Sequence, residues 1–340
     1  MKTVSRLISS AILLALTVGL FLLGKNSPHI FSLWYPATSQ WLLGLIGGLT
    51  AKVPVPLWEA VAIGLAAWLI ISLCRAIGKK KFLRWLTGVL HGAAILIFLF
   101  VLLWGGNHLT PAKTEQFVTV ETATTEQLAA AAAYFGSKAD ETYTLVQSED
   151  FAELADWVED GFGAYDAFPR AEITIKPLLL GELYHYLNTT GIFVPMTAET
   201  CVSGDAHPTS LPFIMSHEAA HRMGAAAEDD ANFCAFLACI ASEEPRYEYS
   251  GWYSAFVLCY NALLEQDAAA AEQVFAALSE VVQKDIWSMN DRYARFEGSV
   301  KDTAEQVNDA YLTLLGQQGI ESYAKASDAL VAWCLKNSKF

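Results

Sequence analysis

Three stretches near the start of the chain carry no charged side chain. Leu7 to Gly24 is the first, Val61 to Cys74 (reaching back to Leu57 past a lone Glu59) the second, and Trp85 to Trp104 the third. Each runs for about 18 to 20 residues, the length at which a helix crosses roughly 30 Å of hydrocarbon. Any one of them alone would suit a buried core helix. Three in succession, followed by a polar domain, predict membrane spans at about 7–24, 57–74 and 85–104. The first run leaves through Leu22-Leu23-Gly24-Lys25-Asn26-Ser27, with no small-x-small cleavage pattern, and so reads as an uncleaved anchor rather than a signal peptide.

The pattern changes after residue 105. Gly105-Gly106-Asn107 and Pro111 stop the third helix, and residues 106–120 read as a polar connector. In the domain that follows, 121–340, Thr125 to Gly136 is helical. So is the stretch around Asp150 to Asp160, where Leu154, Trp157 and Val158 give the 3–4 spacing of a buried stripe. Ala171 to Ile175 alternates weakly as a short strand would, and Leu178 to Leu187 reads as a helix or turn. Gly191 to Met196 and Glu199 to Val202 are β-rich and suit a small hairpin. From Leu211 to Trp333 nearly everything has helical periodicity. The expected fold class is mainly α: three N-terminal transmembrane helices, then a mostly helical domain with a small β-hairpin or sheet.

Composition agrees with a membrane protein, since 54% of the 340 residues are hydrophobic and the excess lies in the first 105. Basic residues set the expected orientation. Lys2 and Arg6 precede span one, and Arg75, Lys79, Lys80, Lys81 and Arg84 crowd the turn between spans two and three. The loop of about thirty residues between spans one and two has only Lys25 and Lys52. Positive-inside logic places the first two groups in the cytoplasm, so three crossings deliver the C-terminal domain to the outer face of the cell membrane. Residues 106–340, connector and domain together, hold 13 basic and 35 acidic residues, a formal charge of −22. Such a surface repels phosphate backbones, so nucleic acid is not an expected partner. The six cysteines form no paired framework, and those in helical stretches read as buried thiols.

Candidate chemistry is concentrated in His217-Glu218-Ala219-Ala220-His221. Residues four apart share a helix face, so His217 and His221 can turn two imidazoles toward one Zn²⁺ ion. Glu218 then stands one step round, where it can accept a proton from an activated water. A third ligand is required if one position is to stay open for solvent. An unbroken helix from His221 to Glu228 would separate them by about 10 Å along its axis, too far to share an ion. Gly224 supplies the necessary stop. The acids Glu228, Asp229 and Asp230 then open a second amphipathic helix, where the dipole favours them. Glu228 is the expected ligand, with Asn232 on the same face as a partner steadying an imidazole. The apolar stripe is centred nearer Asp229, so Asp229 and Asp230 stay open as alternatives. Tyr184, His185, His207, Tyr249, Tyr260 and Asn308 are candidate donors to an oxyanion, each more simply read as structural. Cys201 with His207 is too sparse a pair to predict a second metal site.

The segment Ser210-Leu-Pro-Phe-Ile-Met-Ser-His217-Glu-Ala-Ala-His221-Arg-Met-Gly224, with Glu228-Asp-Asp-Ala-Asn232-Phe after it, resembles the DUF3810 family of bacterial membrane proteins without assigned function. The likeness continues through Tyr249-Ser-Gly-Trp-Tyr-Ser254 and Val307-Asn308-Asp309-Ala-Tyr311-Leu312, and upstream through Gly191-Ile-Phe-Val-Pro195. It implies a zincin-like domain behind three spans, and no substrate. Glu228-x-x-x-Asn232 is also similar to the ligand helix of gluzincin peptidases, with Asn in place of Asp and a much shorter gap from His221. Metzincins share the shorter gap and the glycine but carry a histidine where Ala227 stands.

These features lead to one expectation and two rivals. The expectation is a membrane-anchored zinc metallopeptidase acting on protein or peptide substrates at the outer face, with Glu218 as general base. The rivals are a non-catalytic envelope sensor or binding module, and an amidase acting on cell-wall peptides. A protease working inside the bilayer does not fit, because Asp205 and the acids at 228–230 place the motif in water. The predicted hairpin just ahead of the motif either connects elements or offers an edge for backbone pairing with a substrate.

Overall fold

All three uncharged runs fold as helices that outlast their apolar cores. The computed structural model describes residues 2–147, 150–314 and 321–339, with side chains at 3–147, 150–307 and 325–339. It begins with α1 (Lys2–Asn26), α2 (Pro28–Ser32), α3 (Tyr35–Thr50), α4 (Leu57–Gly78) and α5 (Phe82–Leu103). Of these, α1, α4 and α5 are long and apolar enough to cross a membrane. Their outward side chains, Ile12, Val18, Ile63, Ile70 and Leu96 among them, stay exposed instead of forming a core. Lipid is as apolar as leucine, so nothing drives such side chains inward. Arg6 lies against Gly88, and four residues on Ser10 Oγ sits 3.0 Å from His91 Nδ1, so α1 and α5 run parallel. Two outer crossings in one direction and a third in reverse are what three successive spans require.

One expectation about this part needs correction. The link between the first two spans is not a loop: α2 and α3 occupy most of it, each with a proline in its first turn. At 16 residues α3 falls short of a crossing. By compactness the chain divides into two units. One unit comprises Met1–Pro111 with Val194–Glu199, and the other Ala112–Phe193 with Thr200–Phe340. Within the first, Thr50 Oγ1 donates to the Thr197 carbonyl at 2.9 Å. The Glu199 carboxylate accepts from the N–H groups of Leu57 and Trp58, both at 2.8 Å, and so caps α4.

The second unit continues with α6 (Thr125–Glu141), α7 (Phe151–Asp156), β1 (Ile175–Pro177), α8 (Gly181–His185), β2 (Gly191–Val194) and β3 (Glu199–Val202, whose first residue belongs to the other unit). Then come α9 (Leu211–Arg222), α10 (Glu228–Ala241), α11 (Pro245–Gln266), α12 (Ala268–Ala276), α13 (Glu280–Ala294), α14 (Ser299–Leu314) and α15 (Glu321–Lys336). A reciprocal cap opens α6, with Gln127 N–H donating to Thr124 Oγ1 and Thr124 N–H donating to Gln127 Oε1. The core forms where α6, α10, α11 and α15 meet. There the Phe236 ring stands edge-on to Phe135 at 5.5 Å, Trp252 at 5.5 Å and Trp333 at 5.1 Å, the arrangement that aromatic quadrupoles favour.

The sheet has the order β1-β3-β2, with β1 parallel to β3 (Ile175 opposite Thr200) and β2 at one edge. The hairpin is therefore where its composition places it. The strand expected at Ala171 to Ile175 forms later, at 175–177, and the helix expected across 150–160 covers only α7. Cys201, Cys234, Cys239, Cys259 and Cys334 are buried free thiols.

Candidate metal centre

The motif helix α9 is short and almost wholly buried, with Leu211, Met215, Ser216, Ala219 and Ala220 inaccessible to solvent. Its N-terminus has orphan N–H groups to satisfy. Ser250 of α11 answers one of them, accepting from Phe213 N–H at 3.1 Å while donating to the Thr209 carbonyl at 2.6 Å. The other end closes on Gly224, which adopts φ 98°, a conformation that any side chain would strain. Gly224 N–H donates to the His221 carbonyl and Ala225 N–H to the Ala220 carbonyl, both at 3.0 Å. These two bonds make a Schellman stop. It turns the Ala225 carbonyl inward, where it accepts from His221 Nδ1 at 2.7 Å.

After this turn the chain doubles back into α10, whose first residue is Glu228. One helical turn later Asn232 Oδ1 lies 2.9 Å from His217 Nδ1. Each imidazole thus commits Nδ1–H to an oxygen, which leaves Nε2 of both rings as an outward-facing lone pair. The two Nε2 atoms are 3.1 Å apart. Glu228 offers Oε2 at 3.2 Å from His217 Nε2 and Oε1 at 3.6 Å from His221 Nε2. Two lone pairs and a carboxylate repel one another at such separations unless a positive charge lies between them. A tetrahedral zinc with bonds of about 2.0–2.1 Å needs ligand atoms roughly 3.3–3.4 Å apart; the Nε2 pair at 3.1 Å lies near that, and the contacts to Glu228, made to its two different oxygens, lie on either side of it. The donor set of two imidazoles and one carboxylate suits zinc as well. Side-chain exposure rises from 9% at His221 to 15% at His217 and 40% at Glu228, so the triad opens to solvent on the carboxylate side.

Without a metal, charge at the site is shared with a proton. Burial works to lower the His221 pKa, but the Glu228 carboxylate overrides it and lifts the ring to about 9. Burial works to raise Glu228, and the two imidazoles outweigh that and hold the carboxyl well below its ordinary range. A cation arriving near neutral pH therefore displaces a proton. Glu218 behaves differently. It is 6% exposed, and burial raises its pKa against the opposing pull of His217 and His221. It packs on the edge strand β2, where the Phe193 N–H favours its charged form. A Cβ at Gly191 would come within 2.6 Å of Glu218 Cγ and Oε1, so only glycine leaves room for the carboxylate.

His217, His221 and Glu228 are the one group of three that could hold a metal ion among the described residues. The alternatives for the third ligand separate clearly. Asp230 is turned away, its carboxylate accepting from Lys113 N–H, Thr114 N–H and Thr114 Oγ1 at 3.0, 2.7 and 2.7 Å. Asp229 stands outside the group, with its pKa raised by burial and by Asp230. Three of the six candidate oxyanion donors have their polar groups engaged elsewhere, and the ring of a fourth, Tyr260, is packed. Tyr249 donates to Asp285 at 2.7 Å, His207 meets Ser288 at 2.6 Å, His185 meets Ser203 at 3.2 Å, and Tyr260 stacks on Phe256. Tyr184 lies in α8, and the side chain of Asn308 lies outside the described residues. Cys201 is buried in β3 and joins no such group with His207. Sequence reasoning did not identify Gly191 or the Ala225 carbonyl. Only the helix stop at Gly224 could have signalled the latter.

Replacing Asn232 by alanine is expected to weaken zinc binding by about 10- to 100-fold, read by competition against a chromophoric chelator. Gly191→Ala crowds Glu218, to which the three nearest atoms belong, and is expected to leave zinc binding unchanged. Undiminished affinity in Asn232→Ala would remove its assigned part in holding His217.

Among known families, DUF3810, described as a protein of unknown function, matches residues 34–331. No match is found among curated proteins or solved structures. With that match covering most of its length, the chain belongs to the DUF3810 family.

Proposed function

We propose that this protein is a membrane-anchored, zinc-dependent hydrolase of peptide bonds. What supports the reading above all is the pair of Nε2 lone pairs facing a carboxylate at zinc-like spacing, with a second, buried carboxylate next to them in the chain. His217, His221 and Glu228 would hold the ion, and Asn232 and the Ala225 carbonyl would orient the imidazoles. Zinc bound there would polarise a substrate carbonyl and lower the pKa of a water. Glu218 takes the proton of the attacking water on its carboxylate and returns it to the leaving amine. Its burial suits a base that must hold a proton between two steps. The edge strand β2, whose backbone borders Glu218, is positioned to align an extended peptide by main-chain pairing.

The same reading places the domain after α5 on the outer face of the cell membrane, because basic residues crowd the turn between α4 and α5. A C-terminal reporter active only in the cytoplasm should therefore stay silent. A strong signal would reverse the topology.

The chemical claim is tested with the zinc-loaded full chain and a mixed peptide library, scoring new termini by mass spectrometry. Wild type should cut the library, and Glu218→Gln should retain zinc while losing at least about a hundredfold in rate. Equal cutting by both would refute the role of Glu218. If zinc-loaded wild type neither cuts nor binds a hydroxamate, the domain is a closed binding module instead.

A further inference from the structure

The helix pair that occupies the link between the first two spans has no ordinary water-facing surface. From Ser27 to Ala51 there is no Asp, Glu, Lys or Arg. On α3 one face is spent inside the unit: Tyr35, Ser39 and Leu43, spaced four apart, are fully buried. Opposite them, Trp41, Leu45 and Leu49, also four apart, stand 64%, 53% and 68% exposed, and Leu33 just before α3 is 71% exposed. A helix in water places charge on such a face. Here tryptophan and leucine occupy it.

Contacts within the unit fix the level of this helix along the spans. Tyr35 donates its hydroxyl to the Val101 carbonyl at 2.6 Å and accepts from Gly106 N–H at 2.9 Å. Ser39 donates to the Leu103 carbonyl. Val101 and Leu103 are in the last turn of α5, where its carbonyls run out of helical partners. So α3 is fastened to the end of a span, neither halfway along it nor beyond it. Tryptophans gather at the same end: Trp34 and Trp41 beside and within α3, Trp58 in the first turn of α4, and Trp104 capping α5. Tryptophan concentrates where hydrocarbon gives way to headgroups. The exposed apolar face of α3 is thus continuous with the lipid-facing surface of the spans.

We propose that Pro28–Thr50 is a fourth membrane-contacting element, lying in the interfacial layer of the leaflet at which α5 ends, with Leu33, Trp41, Leu45 and Leu49 immersed in lipid. The occupant of this face is the bilayer itself. Because the segment carries no Lys or Arg, apolar burial holds it there, not attraction to anionic headgroups. Thr50, at the C-terminal end of α3, bonds the hairpin turn at Thr197, so that turn is held by the same element.

The test uses the full chain in phosphatidylcholine nanodiscs. Cys74 is the exposed cysteine and the other five are buried, so Leu45→Cys and, separately, Trp41→Cys are made in a Cys74→Ser background and labelled with a nitroxide. Collision with dissolved oxygen should exceed collision with a water-soluble nickel chelate several-fold at both sites. A label at Trp287, exposed on α13, should show the opposite preference. Free access of the chelate at positions 41 and 45 would overturn the proposal. Exclusion of both reagents with spin–spin broadening would also overturn it, by showing that a second copy of the chain covers the face.

Discussion

Two imidazole nitrogens facing each other at 3.1 Å set the terms for the rest of the polar unit. Neither ring can relieve the conflict by changing tautomer, because each Nδ1 already donates to an oxygen. Only positive charge between the rings does so. The Schellman turn at Gly224 supplies one of those oxygens and also reverses the chain so that α10 begins with Glu228 beside the pair. A single glycine thus serves the orientation of His221 and the placement of the third donor.

The surrounding fold keeps these groups from relaxing. Ser250 locks the start of α9 to α11, and aromatic rings from four helices fill the space behind α10. Asp230 fastens the start of the unit to α10, two residues beyond Glu228. Packing at this density resists small displacements, which is why a methyl group at Gly191 would be felt by Glu218. The three acids at 228–230 look alike in the chain and do three different things. One faces the imidazoles, one is half-buried without joining them, and one is structural.

Much of this was legible in the chain because it depends on local periods. Two histidines four apart, a glycine three residues later and an asparagine four after a glutamate are all helix arithmetic. Three uncharged runs declared the spans for the same reason. What could not be read depends on partners far away in sequence. Asp230 is turned away from the two histidines by bonds to Lys113 and Thr114, more than a hundred residues earlier. Tyr249 and His207, plausible donors on paper, are held by Asp285 and Ser288 of α13. β1 forms at Ile175–Pro177, later than its local pattern at Ala171 to Ile175, where it pairs in parallel with β3. The helix α3 went unread because its length suits neither a span nor a polar loop.

The most direct measurement is anomalous diffraction at the zinc edge from crystals of the zinc-loaded full chain. The account predicts one peak, about 2.0–2.1 Å from His217 Nε2, His221 Nε2 and a Glu228 oxygen, with the fourth position held by solvent. A site without a peak, or an ion whose fourth ligand is another protein side chain, would contradict it.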